Sequence, residues 1–270
     1  MPKPPLEPWC DTRLKSASEV VRQAGALALA SFRDSALTVE RKGVQDYVTA
    51  VDRAVEELIV DRLRAHFPDD QFLGEEGGLR SGAPRGSALW VIDPIDGTTN
   101  YARGLPLWCV SVALVYAGEI ALGLIFNPVS DEFYCAVRGC GASCNGRPIR
   151  VSGEQSPEAA RIGMGFSYRR PPALHARDIG RLLDAHCEYA RLGSGALGLA
   201  FVADGRFDGY YEPHINSWDV LAGICLVREA GGWVSDFLSG DGLLRGNPIL
   251  ACTPALRDFL QQRLTAADVT

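Results

Sequence analysis

The sequence predicts a layered α/β protein, and three observations carry that prediction. Apolar residues recur at helical spacing in two early segments, 14–33 and 49–67. Three β-type runs, 109–116, 120–126 and 132–137, then follow one another with only short turns between them. From residue 161 onward, strand-like and helix-like segments alternate. Strands interleaved with helices on both sides of a central meander pack as layers of sheet and helix.

The first helix, over 14–33, lines up Val20, Val21, Ala24, Leu27, Ala28 and Phe32, and a short strand at 37–41 follows. The second helix, Thr49–Phe67, carries Val51, Val55, Leu58, Ile59 and Leu63 on one face and stops at Pro68. Gln71–Gly74 is a strand leading into Glu75-Glu76-Gly77-Gly78. Ala88–Ile92 is a buried strand ending at Asp93, and Thr98 opens a short helix. In the meander, Ala117-Gly118 and Pro128–Asp131 supply the turns, whereas the glycine-rich stretch Cys140–Pro148 reads as a loop. Pro148–Ser152 begins a linker, so residues 1–270 form one domain with two parts, about 10–150 and about 151–270. The second part reads strand 161–165, helix 174–186, strand 188–192 and helix 194–203, with Gly205 in the C′ position. Strand 207–212, helix 218–230 ended by Gly231-Gly232, two short strands and a terminal helix at 254–264 complete it.

With 47% hydrophobic and 22% charged residues the chain has the composition of a soluble globular protein. A net charge of −6 and a pI near 5.3 argue against non-specific binding of nucleic acid or anionic membranes. They leave room for a small anionic substrate, because a bound cation reverses the local field. The proline-rich start has no apolar core of a signal peptide, and no run is long enough to span a bilayer, so a cytoplasmic protein is expected. Of the eight cysteines, Cys109, Cys135, Cys225 and Cys252 sit in apolar segments, and the single C-x₃-C pair, Cys140 and Cys144, lacks a nearby histidine or second pair. They read as reduced structural thiols rather than a zinc site.

Four acidic sites carry the chemistry. The strongest is Trp90-Val91-Ile92-Asp93-Pro94-Ile95-Asp96-Gly97-Thr98-Thr99-Asn100, a buried strand ending in two aspartates. Buried carboxylates are costly unless a cation neutralises them. Pro94 fixes the backbone between them, Gly97 allows a turn, and Thr98 and Thr99 open a helix whose amides suit a phosphate. Paired carboxylates beside a phosphate cradle point to Mg²⁺-assisted phosphoryl chemistry. Asp52 lies in the first turn of the second helix, where an acid is also stabilised by the helix dipole alone. Lys42 stands in the preceding loop, within reach of an anion or simply solvated. Of Glu75 and Glu76, adjacent residues in extended chain, one faces a site and the other solvent. Asp219, in Asn216-Ser217-Trp218-Asp219-Val220-Leu221-Ala222-Gly223, begins an apolar helix for which Ser217 is a candidate N-cap.

In order and separation, these four segments resemble the inositol monophosphatase family, over about residues 14–255. Asp93–Asn100 and Trp218–Gly223 with Glu229–Gly232 are the most specific matches; Gly193–Ala196 and Tyr210–Glu212 add to them. The resemblance implies alternating α-β-α-β-α layers, the sugar-phosphatase fold, and two or three Mg²⁺ ions per active site. It implies one metal site from Glu75, Asp93 and the Ile95 carbonyl, and another from Asp93, Asp96 and Asp219. Asp52, Thr98 and Glu75 take catalytic roles, the first two orienting or deprotonating the attacking water. The Gly97 and Thr98 amides hold the phosphate, and Asp96, Gly193, Ser194, Glu212 and Asp219 bind the rest of the substrate. Lys42 and Glu76 are secondary candidates. Two departures from the family pattern stand out: Gly195, which would loosen the pocket floor, and Ser167-Tyr168-Arg169-Arg170, read as a solvated loop or as a site for a second anionic group. The expected activity is hydrolysis of inositol 1-phosphate or a related polyol or sugar phosphate by a lithium-sensitive homodimer. The alternatives are a bisphosphate nucleotidase, a fructose-1,6-bisphosphatase or a histidinol-phosphatase. A partner-binding regulatory protein on the same fold would show itself by loss of metal carboxylates, and none of them is lost here.

Overall fold

Helix α1 spans Pro8–Phe32 in the computed structural model of the protein, which describes residues 8–32, 39–43, 46–80 and 88–264. It begins earlier than the expected residue 14, because proline is accommodated in a first helical turn and buried Cys10 anchors the added residues. A two-stranded ribbon follows, β1 (Val39–Gly43) with β2 (Asp46–Thr49), so Lys42 lies in a strand rather than a loop. Residues 37 and 38 of the expected first strand, and the Lys42 side chain, lie outside the described residues. Helix α2 (Ala50–His66) buries Val55, Ile59, Val60 and Leu63 against the core.

The larger sheet collects β3 (Gln71–Gly74), β4 (Gly78–Arg80), β5 (Leu89–Asp96), β6 (Cys109–Tyr116), β7 (Glu119–Asn127), β8 (Glu132–Val137), β9 (Gly141–Cys144) and β10 (Arg147–Pro148). Its order is β10-β9-β8-β7-β6-β5-β3-β4, antiparallel throughout except for the parallel pair β3 and β5. Two strands thus correct the reading of 140–148 as a loop. Asn145 and Gly146, at φ 49° and 75°, form a tight Asn-Gly hairpin turn that overrides the glycine-rich composition. The sequence reading also omitted the short strands β2 and β4. β5 extends past Asp93 to Asp96, with a register irregularity between these residues. Pro94 falls in that irregularity, where its missing N–H disrupts no regular ladder.

After a short helix α3 (Thr98–Ala102), the second half contributes β11 (Arg161–Met164), β12 (Glu188–Ala190), β13 (Gly209–Ile215), β14 (Trp233–Val234) and β15 (Asn247–Cys252), in the sheet order β12-β11-β13-β15-β14. Its helices are α4 (Pro172–Leu183), α5 (Gly195–Ala203), α6 (Ser217–Glu229), α7 (Gly242–Arg245) and α8 (Arg257–Leu264). Helices α1 and α2 cover one face of the large sheet, while α5 and α6 fill the space between the sheets. The α4–α8 pair covers the outer side of the small sheet. The order of layers is therefore α-β-α-β-α.

Glycine brings the central layers together. A Cβ on Gly123 of β7 would meet the Ala222 carbonyl oxygen at 2.5 Å, and one on Gly223 would overlap Leu199 of α5. The expected linker at 148–152 is tied down: the Val151 amide donates to the Ala230 carbonyl at 3.2 Å and Thr253 Oγ1 to the Ser152 carbonyl at 2.8 Å. All eight cysteines are free thiols. Among the described residues, no helix is long and apolar enough to cross a membrane.

Candidate active site

Three elements end at one point: the carboxyl end of β5 and the amino termini of α5 and α6. The strand supplies Asp93 and Asp96, and the first turn of α6 supplies Asp219. One carboxylate oxygen from each of the three lies within 4.8 Å of the others. The partly positive helix termini offset some of the repulsion between them.

The local backbone holds each acid in place. The Ile95 amide donates to Asp93 Oδ1 at 3.0 Å, closing a turn around the rigid Pro94. Asp96 lies over the start of α5, where the Ala196 and Gly195 amides donate to it at 2.7 and 3.2 Å and the Ser194 hydroxyl donates to Oδ2. Ser194 also caps α5, accepting from the Leu197 amide at 3.2 Å. Asp219 Oδ2 accepts the Asn216 amide at 3.0 Å, so Asn216, not Ser217, is the N-cap of α6. The Ser217 hydroxyl instead donates to the Leu243 carbonyl at 2.7 Å.

Burial and mutual repulsion define the electrostatics. Burial pushes Asp93 well above the usual carboxylate range, and Glu75, Asp96 and Asp219 add to the shift. Asp96 is pushed up to about 7 by burial and then by Asp219, against the opposing pull of its three donors. Burial also raises Asp219. Acids arranged in this way favour a cation among them, and an all-oxygen donor set suits a hard ion such as Mg²⁺.

Glu75 follows β3 beside β5. The parallel register sets Gly74 opposite Ile92, and the Glu75 amide donates to the Ile92 carbonyl at 3.2 Å. Its charge reaches Asp93, although Glu75 stands outside the group of three. Asp52 is buried in the first turn of α2. The Thr98 hydroxyl donates to the Ile95 carbonyl at 2.9 Å and lies 3.4 Å from Asp52 Oδ1. Gly97, at φ 95°, precedes α3, and a Cβ there would come within 2.8 Å of the Leu107 carbonyl oxygen. Gly97→Ala is therefore expected to destabilise the protein by about 1–3 kcal/mol, read as a lower denaturation midpoint.

Beside the acids opens a cavity of about 160 Å³ that reaches from Asp96 and Asp219 past Gly193 and Ser194 to Glu212. Burial lifts Glu212 to about 8, although the Tyr210 hydroxyl, which donates to its Oε2 at 2.7 Å, and Arg191 pull the other way. The floor is closed at Gly195 rather than loosened, since a Cβ there would meet Ile215 Cδ1 at 2.6 Å. Arg169 is not merely solvated: its Nη1 donates to Asn216 Oδ1 at 2.8 Å, next to the cap of α6.

The sequence reading missed several residues around this site. Asn100 Nδ2 donates to the Leu107 and Leu192 carbonyls at 2.6 and 2.8 Å, tying α3 to the segment after β12 that leads into Gly193 and Ser194. Its position at the end of the DPIDGTTN motif was the available signal. Arg191 and Phe166 line the cavity without any local motif to mark them, whereas Tyr210, which also lines it, stood in the Tyr210–Glu212 match. The Lys42 side chain lies outside the described residues, and Glu76 turns its amide toward Glu56 Oε2 at 2.8 Å.

The fold and the acid centre together define a layered α/β protein with a cluster of carboxylates at a strand end that could hold a metal ion. A sequence profile of the inositol monophosphatase family matches residues 9–268, and the chain belongs to that family. It is 39% identical over 269 residues to the protein named Nus factor SuhB of Pseudomonas aeruginosa, covering 96% of this chain and 98% of the relative. It is also 39% identical over 232 residues to the inositol-1-monophosphatase of Rhizobium meliloti, covering 84% and 87%. The solved inositol monophosphatase of Anabaena (Nostoc) sp. PCC 7120 superposes with a TM-score of 0.82 at 36% identity, over 94% of this chain and 96% of that one.

Proposed function

We propose that this protein is a Mg²⁺-dependent phosphomonoesterase that hydrolyses inositol 1-phosphate or a related polyol or sugar phosphate. The observation that carries this reading is the convergence of buried Asp93 and Asp96 with half-buried Asp219, beside Glu75. Glu75, Asp93, the Ile95 carbonyl, Asp96 and Asp219 would hold two or three Mg²⁺ ions. Bound there, Mg²⁺ would acidify a water and neutralise charge on the leaving oxygen. Thr98 would orient that water through its hydroxyl, which the Ile95 carbonyl already holds, and Asp52 would receive the proton at Oδ1. The Gly97 and Thr98 amides would take the phosphate oxygens. Gly193, Ser194 and Glu212 would face the alcohol part, where a carboxyl group can pair with polyol hydroxyls. Lithium inhibition, a cytoplasmic location and a homodimeric state belong to the same reading, and sedimentation tests the last of these.

The test is phosphate release with Mg²⁺, with and without a chelator. The substrates are inositol 1-phosphate, glycerol 2-phosphate, fructose 1,6-bisphosphate, histidinol phosphate and adenosine 3′,5′-bisphosphate. Chelator-sensitive turnover with the highest kcat/KM on inositol 1-phosphate is expected, and a different ranking would assign the chain to another branch. A second reading, a partner-binding regulator, is favoured by the name Nus factor SuhB borne by a relative 39% identical over 96% of this chain. Folded, metal-binding protein that turns over none of the five substrates would support it.

A further inference from the structure

We propose that Glu56 and Arg80 form a positioning clamp that sets the proposed metal ligand Glu75, an inference that rests on the metal-site reading above. Glu56 belongs to α2 and is fully buried. Its carboxylate accepts the Glu76 amide at 2.8 Å on Oε2 and the Gly77 amide at 2.9 Å on Oε1. Arg80 Nη2 donates to the same Oε1 at 2.9 Å. One buried carboxylate thus grips the two residues after Glu75, and a guanidinium from β4 neutralises it.

The backbone is shaped to admit this grip. A Cβ on Gly74 would overlap the Glu56 carboxylate, and one on Gly77 would overlap the Arg80 guanidinium. Glycine on either side of Glu75-Glu76 therefore lets the bend lie directly on the ion pair. On its other side Glu75 is tied to β5 through the Ile92 carbonyl. The strand fixes where the Glu75 backbone starts and the clamp fixes how it leaves, which together aim its side chain toward Asp93. Partners that orient a metal ligand without touching the ion alter metal affinity by about 10–100-fold when removed.

A natural comparison lies at the opposite end of the same strand. Asp70, just before β3, accepts Arg13 Nε and Nη2 at 3.0 and 2.8 Å and Trp90 Nε1 at 2.9 Å. That pair is also buried on the Asp side, and it holds Trp90 of β5 rather than the turn after Glu75.

The experiment titrates Mn²⁺ into the full-length protein, free ion being read by electron paramagnetic resonance, for wild type, Glu56→Gln, Arg80→Ala, Arg80→Lys and Arg13→Ala. Melting temperatures are recorded without metal. The dissociation constant is expected to rise about 10–100-fold in Glu56→Gln and Arg80→Ala, with partial recovery in Arg80→Lys. Arg13→Ala should lower the melting temperature but hold metal affinity within about twofold of wild type. Arg80 is partly exposed, so its variants test the clamp even where Glu56→Gln does not fold. Lower melting temperatures with unchanged Mn²⁺ affinity in the Arg80 variants would overturn the inference. Wild-type protein that binds no Mn²⁺ would instead overturn the metal-site reading, and the clamp with it.

Discussion

Asp93→Asn is expected to lower Mg²⁺-dependent phosphate release by about 10³-fold, equivalent to about 4 kcal/mol of lost transition-state stabilisation. Asp93 is the most crowded carboxylate of the site, buried against Glu75, Asp96 and Asp219. Asparagine keeps its shape but removes the charge and one oxygen donor. The same change should leave the metal-free fold as stable as wild type or more so, because it removes a buried acid from a group of three that repel one another. Loss of turnover with an undiminished melting temperature in chelator is the expected pair of results. A collapsed melting temperature would make Asp93 structural, and retained turnover would remove it from the chemistry.

Stability should depend on pH in opposite ways with and without Mg²⁺. The folded-state values of Asp93, Asp96 and Asp219 lie above those of the unfolded chain, Asp96 reaching about 7. Between pH 4 and 7, on the order of the unfolded and folded values, the native state therefore binds more protons than the unfolded one. Metal-free stability is then greatest at the acid end of that window and falls as pH rises through the folded values. Mg²⁺ competes with those protons and binds the native state only, so its stabilisation grows with pH. We expect metal to raise the melting temperature by about 5–10 °C at pH 8 and by much less at pH 5, corresponding to a few kcal/mol for a chain of this size. Differential scanning fluorimetry across pH with Mg²⁺ or chelator checks this, and a Mg²⁺ shift that does not change with pH would contradict it.

Much of this centre was legible because its residues are adjacent in sequence. Asp93 to Thr98 occupy one strand end and one turn, where Pro94 and Gly97 have no better explanation than the backbone path they impose. Helix α6 was legible for a similar reason, its acid standing at the start of an apolar run. What escaped the sequence depends on distance along the chain. Glu56 lies twenty residues before the amide it holds, and Asn100 lies ninety-two before the Leu192 carbonyl. Neither carries a local periodic or turn signal, so only the folded chain reveals its partner. The β9–β10 hairpin was missed for a different reason: glycine abundance was weighed above the specific Asn145-Gly146 pair, whose turn chemistry favours strands.

The proposed ligands do not come from one contiguous stretch. Asp93 and Asp96 belong to the larger sheet and Glu75 follows its strand β3, whereas Asp219 and the helix starts that seat Asp96 come from the half that follows. During synthesis the early sheet leaves the ribosome with its acids already close together but unable to complete a cation site. Only when residue 219 has emerged and α6 has slid between the two sheets does the chain gain its full set of oxygens. Metal uptake at the proposed site would then wait until the two halves have docked.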